Sequence, residues 1–148
     1  MRRLDCHARI KGVKSSYQTA LQVVNLLTKI AARQPRYLFD HSLDMVELEA
    51  LGQGLHDVYF VRMFASFESS LRDYWRASVR NSRPATEQLL GAIAGRRGVP
   101  QDTLDAVQEI REFRNCLIHE EHQVRRRFTI DEASKHLNTY LARLPLEW

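Results

Sequence analysis

Apolar residues recur every three or four positions along most of this chain, which is the spacing that one face of an α-helix requires. Ser15 or Ser16 can cap a first helix, which should end at Pro35 because the residue before a proline avoids the helical region. After an aromatic-containing loop, Ser42 can cap a shorter helix that the Gly52–Gly54 segment is expected to break or bend. The first third of the chain therefore predicts two helices.

The remaining two thirds predict four more helices. A long one runs from about Leu55 to Arg80, and a short one covers Thr86 to Ala94. A fifth starts near Asp102, and a capping box at Thr129–Glu132 starts the last, which Pro145 stops. No segment alternates like a strand with hairpin turns, so the prediction is an all-α, antiparallel helical bundle of four main helices plus one or two short ones.

Length and composition agree with one globular domain. The chain has 148 residues, 44% hydrophobic and 27% charged, so residues 1–148 are expected to share one core. No apolar run approaches the roughly 18 to 20 residues that cross a bilayer, and we expect a cytoplasmic protein that does not engage membranes. The net charge of +4 suits a polyanionic partner, but many proteins that never bind nucleic acid share it.

Metal and cofactor sites are not predicted. Cys6 and Cys116 are too few for a disulfide framework or a zinc site, and we interpret both as free thiols. His119 and His122 are three residues apart, whereas liganding pairs on a helix usually need four. We therefore expect no bound metal and no cofactor.

Two charged residues fall on apolar helix faces. The fifth helix presents one apolar arc of Ala106, Val107, Ile110, Phe113, Leu117 and Ile118. Arg114 lies in the middle of this arc, and Glu68 lies inside the apolar arc of the long third helix. A charge on a core face is costly without a counter-charge, so Glu68 and Arg114 are predicted to pair. Such a pair can be purely structural, fixing the register of the bundle.

A polar stripe beside the arc carries the candidate chemistry. Gln108, Arg111, Asn115 and His119 follow one another at helical spacing. Histidine can take or give a proton near neutral pH, and arginine holds phosphate oxygens through its planar fork. Because RNA carries its own nucleophile, the ribose 2′-hydroxyl, these groups would suffice to cleave it without a metal.

The spacing of Arg114 and His119 presents a geometric difficulty. They are five residues apart, so on an ideal helix their directions differ by roughly 140°. They can act on one phosphate only if the helix loosens near His119 or if a second subunit completes the site. The second solution predicts a homodimer with two copies of the motif around a shared cleft.

The segment Arg114-Asn115-Cys116-Leu117-Ile118-His119 resembles the Arg-polar-x-x-x-His motif of the HEPN superfamily of helical bundles. The earlier segment from Phe60 to Leu71, with its Phe-Glu-x-x-Leu sequence, is similar to the earlier long helix of that family. The resemblance implies a homodimer that cleaves RNA without metal and leaves a 2′,3′-cyclic phosphate. On this resemblance Arg114 binds the phosphate, Asn115 orients the motif, His119 acts as acid or base and Glu68 positions Arg114.

The resemblance leaves two functions open. The first is an endoribonuclease acting as a toxin or phage-defence effector, with RNA as substrate and a cognate antitoxin or inhibitor as partner. The second is a catalytically silent dimeric module that binds nucleotide, RNA or protein, since fold analogy alone does not establish activity. One branch of the family carries a tyrosine two residues after the histidine, where this chain has Glu121, so regulation by modification there is not supported.

Arginines outside the motif are further RNA-binding candidates. Arg125, Arg126 and Arg127 follow the motif in a predicted loop, and Arg111 precedes it on the stripe. Such a basic run can follow an RNA backbone, although a solvated surface loop is the commoner meaning. Arg96-Arg97 in another loop has the same two interpretations.

Overall fold

The computed structural model describes residues 2–79, 82–119 and 126–148. Within these residues the chain forms six helices and no strand, which confirms the predicted all-α bundle. The helices are α1 (Arg3–Arg33), α2 (Arg36–Asp40), α3 (Met45–Ser78), α4 (Thr86–Arg97), α5 (Gln101–His119) and α6 (Ile130–Leu141). None of the helices described is both long enough and apolar enough to cross a membrane.

The first helix starts much earlier than predicted. α1 begins at Arg3 rather than near Ser15, and the Asp5 carboxylate accepts a hydrogen bond of 3.2 Å from the Arg2 backbone N–H. Cys6, Ile10 and Val13 are buried along this added part, so its core face has the usual spacing of four and three. Burial of that face against the bundle explains why a segment without an obvious cap is helical.

The third helix is continuous where a break was expected. α3 runs through Gly52 and Gly54, and its cap is Asp44, whose Oδ1 accepts a bond of 2.6 Å from the Val46 N–H. A β-carbon at position 52 would lie 3.1 Å from Cγ1 of Val24 in α1. Gly52 therefore allows the two helices to approach closely, and their packing outweighs the low helix propensity of glycine.

The paired helices α1 and α3 run antiparallel. Near the middle of α1, the ring of Tyr17 lies 5.8 Å from that of Tyr59, and further along Val24 packs against Gly52. The short α2, predicted as a loop, connects them. We call the second half of α1, α2 and the first part of α3 the hairpin. The hairpin has its own small group of buried side chains, the hairpin core: Val24, Ala31, Leu38, Leu48 and Leu55.

The C-terminal half of α3 lies at the centre of the larger part of the molecule, packed against α1, α4, α5 and α6. We call this larger part the body, and we call its buried side chains the body core. The body core includes Phe60, Met63, Phe64, Phe67, Leu71, Leu90, Ile93, Ile110, Leu137 and Tyr140. α4 ends at Gly98, whose φ of +61° is a left-handed conformation that favours glycine. α6 starts at the predicted capping box, in which Thr129 Oγ1 accepts a bond of 3.1 Å from the Glu132 N–H.

Candidate functional site

Arg114 emerges from the apolar face of α5 but is only partly buried. Its Nη1 donates a hydrogen bond of 2.9 Å to Oδ1 of Asn115, and its guanidinium carbon lies 5.8 Å from the centre of the Phe64 ring. Its Nε is buried and has no hydrogen-bond partner among the residues described. An aromatic face and one amide therefore accommodate this charge, leaving part of its hydrogen-bonding capacity unused.

The predicted pair between Glu68 and Arg114 is wrong, although α3 and α5 are neighbours. The Oε1 atom of Glu68 accepts hydrogen bonds from Arg72 Nη2 at 2.6 Å and from Thr86 Oγ1 at 2.8 Å. Arg72 is one turn further along the same helix, where it reaches the carboxylate more readily than a residue on another helix does. The Arg72 Nη1 also donates a bond of 3.3 Å to the Pro84 carbonyl.

Glu68 and Arg114 therefore have separate roles. Glu68 and Arg72 together anchor the start of α4, at Pro84 and Thr86, on α3. Arg114 has no carboxylate within 4.0 Å among the residues described. A guanidinium without a counter-charge in a partly buried position is suited to binding an anion from outside the chain.

A cavity of about 140 Å³ lies between the start of α4 and the middle of α5. Its lining joins two arginines, an amide and one carboxylate: Phe64, Ala85, Thr86, Glu87, Arg111, Arg114 and Asn115. The predicted stripe residues Arg111 and Asn115 are thus brought together with Arg114. Arg111 is 16% exposed, and its Nη2 donates a bond of 3.3 Å to Oε2 of Glu87.

His119 is separate from this cavity. It is the last residue of α5, it is exposed, and it does not line the cavity. α5 stays α-helical through His119, so the helix does not loosen there to bring His119 towards Arg114. Within one subunit, Arg114 and His119 are therefore not brought together at this cavity.

The other basic candidates are dispersed. Arg126 makes an ion pair of 3.3 Å with Glu109 and covers the Phe128 ring at 4.5 Å, so its contacts within the chain account for its position. Arg127 is exposed, and Arg125 lies outside the described residues, as do Glu121 and His122. The described part of the chain contains no group of three potential metal-ligating side chains.

Arg96 and Arg97 form part of α4 rather than a loop. The guanidinium carbon of Arg96 lies 5.3 Å from the centre of the Trp75 ring, and Arg97 Nε donates a bond of 3.1 Å to the Arg143 carbonyl. Both side chains thus have partners within the chain.

Four lining residues were not identified from the sequence: Phe64, Ala85, Thr86 and Glu87. Thr86, Glu87 and Phe64 belong to α4 and α3, and only the packing of these helices on α5 places them beside Arg114. Thr86 was recognised as a helix start, but nothing in its spacing connects it with a motif more than twenty residues away.

Comparisons of the chain with models of known protein families, with curated proteins and with solved structures find no match. What the site does must therefore be inferred from its own residues and their geometry.

Proposed function

We propose that this protein is a metal-independent endoribonuclease of the HEPN type, acting as a homodimer. The observation that carries the proposal is the guanidinium of Arg114, which lacks a carboxylate partner in the described chain and lines a cavity with Arg111 and Asn115. Two cations and an amide converging on a concave surface favour a phosphate-bearing ligand. The histidine of the same motif adds the group that can move a proton.

The proposed reaction needs only these residues and the RNA. The 2′-oxygen attacks the adjacent phosphorus, the bond from phosphorus to the 5′-oxygen breaks, and the products are a 2′,3′-cyclic phosphate and a 5′-hydroxyl. Arg114 holds the phosphate oxygens, where negative charge develops. His119 accepts the proton from the 2′-hydroxyl or donates one to the leaving 5′-oxygen, and solvent water makes the other of these two proton transfers. Asn115 holds the guanidinium of Arg114 in place.

A dimer supports this chemistry because one subunit separates its own Arg114 and His119. A two-fold axis near α5 would place the histidine of one subunit beside the arginine of the other. The predicted result in light scattering at micromolar concentration is a dimer. A stable monomer that still cleaves RNA would contradict the composite site.

A silent binding module is the second candidate, and the exposed position of His119 outside the cavity favours it. In that case the cavity would hold a phosphate-bearing ligand without cleaving it. Roles as a toxin or defence effector, with an antitoxin as partner, apply only to the active enzyme.

The two candidates differ in a cleavage assay on total RNA with EDTA present. We expect the wild type to cut and His119→Ala to lose about a hundredfold or more of the rate, the usual size of a general acid or base contribution. His41→Ala removes another exposed histidine, beyond the end of α2, and serves as the matched control. Cleavage abolished by EDTA, or equal cleavage by the His119 variant, would refute the proposed mechanism.

A further inference from the structure

We propose that the cavity between α4 and α5 is a binding site for a backbone phosphate of RNA, and that Glu87 occupies the place of this phosphate when RNA is absent. The proposal rests on the proposed function for the identity of the ligand. It adds donors that the Arg114 motif does not include: the guanidinium of Arg111 and the first turn of α4.

The two guanidiniums differ in how their hydrogen bonds are used. Arg111 is held by Gln108, whose Oε1 accepts from its Nε at 2.8 Å, and by the Glu87 carboxylate. Arg114 is held by Asn115, and its Nε has no partner among the described residues. Both guanidiniums are therefore held in place. Because the Nε of Arg114 is buried, the donors for an oxyanion are the Nη groups of the two arginines.

The start of α4 borders the same cavity through Ala85, Thr86 and Glu87. No side chain caps this helix at Ala85, and its first intrahelical bond, of 2.8 Å, runs from the Leu89 N–H to the Ala85 carbonyl. The N–H groups of Thr86, Glu87 and Gln88 precede that bond and have no acceptor within the helix. Together with the helix dipole they favour an anion, as do Arg111 and Arg114 in the lining of the same cavity.

The partly buried ion pair of α3 holds the start of α4 in place. The Glu68 carboxylate accepts from the Thr86 hydroxyl, and Arg72 donates to both Thr86 and the Pro84 carbonyl. The first turn of α4 is thus fixed on α3 before any ligand arrives. A site whose donors are already oriented loses less entropy on binding.

Glu87 is the one acidic residue in the cavity lining, and its position indicates a competitor. Its side chain is 68% exposed, and its carboxylate pairs with Arg111 at 3.3 Å. An ion pair with an exposed partner contributes little to stability. A phosphate carries more oxygen acceptors and can bind both arginines. Displacing the carboxylate therefore costs little and exposes Arg111 to the ligand.

The size of the cavity indicates which part of the RNA it holds. Its volume of about 140 Å³ is below the roughly 300 to 1,000 Å³ of sites that enclose drug-sized ligands. A phosphate group fits such a space, and the rest of a nucleotide would extend beyond it. A contact with the phosphate positions the RNA and carries no sequence information by itself.

The test measures binding of inorganic phosphate by calorimetry and of a fluorescein-labelled single-stranded RNA decamer by anisotropy, with EDTA present. Arg111→Gln should weaken both about tenfold, the size expected for a charge-assisted hydrogen bond, and Glu87→Gln should strengthen both about threefold. The controls Arg2→Gln and Glu147→Gln remove the two members of another Arg–Glu pair, at the termini of the described chain. They should change either affinity less than twofold.

Opposite signs for the two variants support the site, because a nonspecific charge effect would also move the controls. The proposal is overturned if Arg111→Gln and Glu87→Gln shift phosphate affinity no more than the controls do. Because the Glu87 side chain is exposed, Glu87→Gln should fold normally. It therefore tests the proposal even if Arg111→Gln destabilises the protein. The cleavage assay separates the two proposals. If the protein binds phosphate as expected but does not cleave RNA, only the nuclease proposal is refuted. If cleavage depends on His119 but neither Arg111→Gln nor Glu87→Gln changes phosphate binding, only the cavity proposal is refuted.

Discussion

The body and the hairpin of this molecule share α1 and α3, but most side chains of the body core are more deeply buried than those of the hairpin core. The body core side chains Met63, Phe67 and Ile110 are fully buried, whereas the members of the hairpin core keep 6 to 8% of their surface exposed. Large apolar side chains also remain exposed on the hairpin: Val23, Leu26, Phe39, Val46, Leu51 and Val58. The candidate site lies on the body, so its arginines project from the region with the larger and more deeply buried core.

The largest expected difference comes from truncating one side chain in each core. Phe67→Ala should cost about 3 to 5 kcal/mol, because it leaves a cavity among fully packed neighbours. Leu48→Ala should cost about 2 kcal/mol, the low end for such changes, because the hairpin can collapse and water already reaches it. Urea unfolding monitored by circular dichroism gives both values, and equal costs would remove the distinction.

A single hydrogen bond in the body core gives a smaller effect. The Tyr140 hydroxyl donates a bond of 2.7 Å to the Leu90 carbonyl, and burial raises the pKa of this phenol well above its usual range. Tyr140→Phe should destabilise the protein by about 1 kcal/mol, since it removes that bond but keeps the ring. In the same urea titration, a change below the error of the measurement would show that the contact contributes nothing.

Much of the fold could be predicted from the sequence because it depends on local periodicity and caps. The Thr129 capping box and the start of α4 at Thr86 were both located, since the signal lies within one turn. The continuity of α3 could not be predicted, because it depends on Val24 packing over Gly52. The low helix propensity of the two glycines predicts a break, and the packing of α1 against α3 keeps the helix continuous.

The candidate site shows the same limit. Arg111, Arg114 and Asn115 share a face of α5 and were identified together, whereas the partner of Glu68 was misjudged. The prediction was wrong because each charge binds a residue close to it on its own helix: Glu68 binds Arg72, and Arg114 binds Asn115. Arg72, one turn from Glu68, was the competing residue that periodicity alone did not weigh.

The glycines of α3 allow a finer test of the hairpin. A β-carbon at Gly54 meets nothing within 4 Å, so Gly54→Ala should stabilise the protein by about 0.5 to 1 kcal/mol through helix propensity. Gly52→Ala should gain less, because Cγ1 of Val24 lies 3.1 Å from the new carbon. Thermal melts compare the pair directly; equal gains would mean that the two helices are not in close contact at Gly52.

The smallest effect concerns the surface of the body at the start of α6. Hydrogen bonds from the Thr129 N–H and hydroxyl hold the pKa of Glu132 below its ordinary value of 4.5. This carboxylate therefore stabilises the fold above that value, and the contribution is lost as the pH falls through the lower, folded-state pKa. Glu132→Gln should melt slightly below the wild type at pH 7 and together with it in strong acid. A difference that grows on acidification would contradict this.

The most direct test of the central claim is the chemistry of the RNA ends. Fragments made by the wild-type protein in EDTA should carry 2′,3′-cyclic phosphate and 5′-hydroxyl ends, because the nucleophile is the 2′-oxygen of the RNA itself. A fully 2′-O-methylated oligonucleotide of the same sequence should remain intact, and His119→Ala should produce almost no fragments. Fragments ending in 3′-hydroxyl and 5′-phosphate, cleavage of the methylated strand, or no cleavage by the wild type would contradict the account.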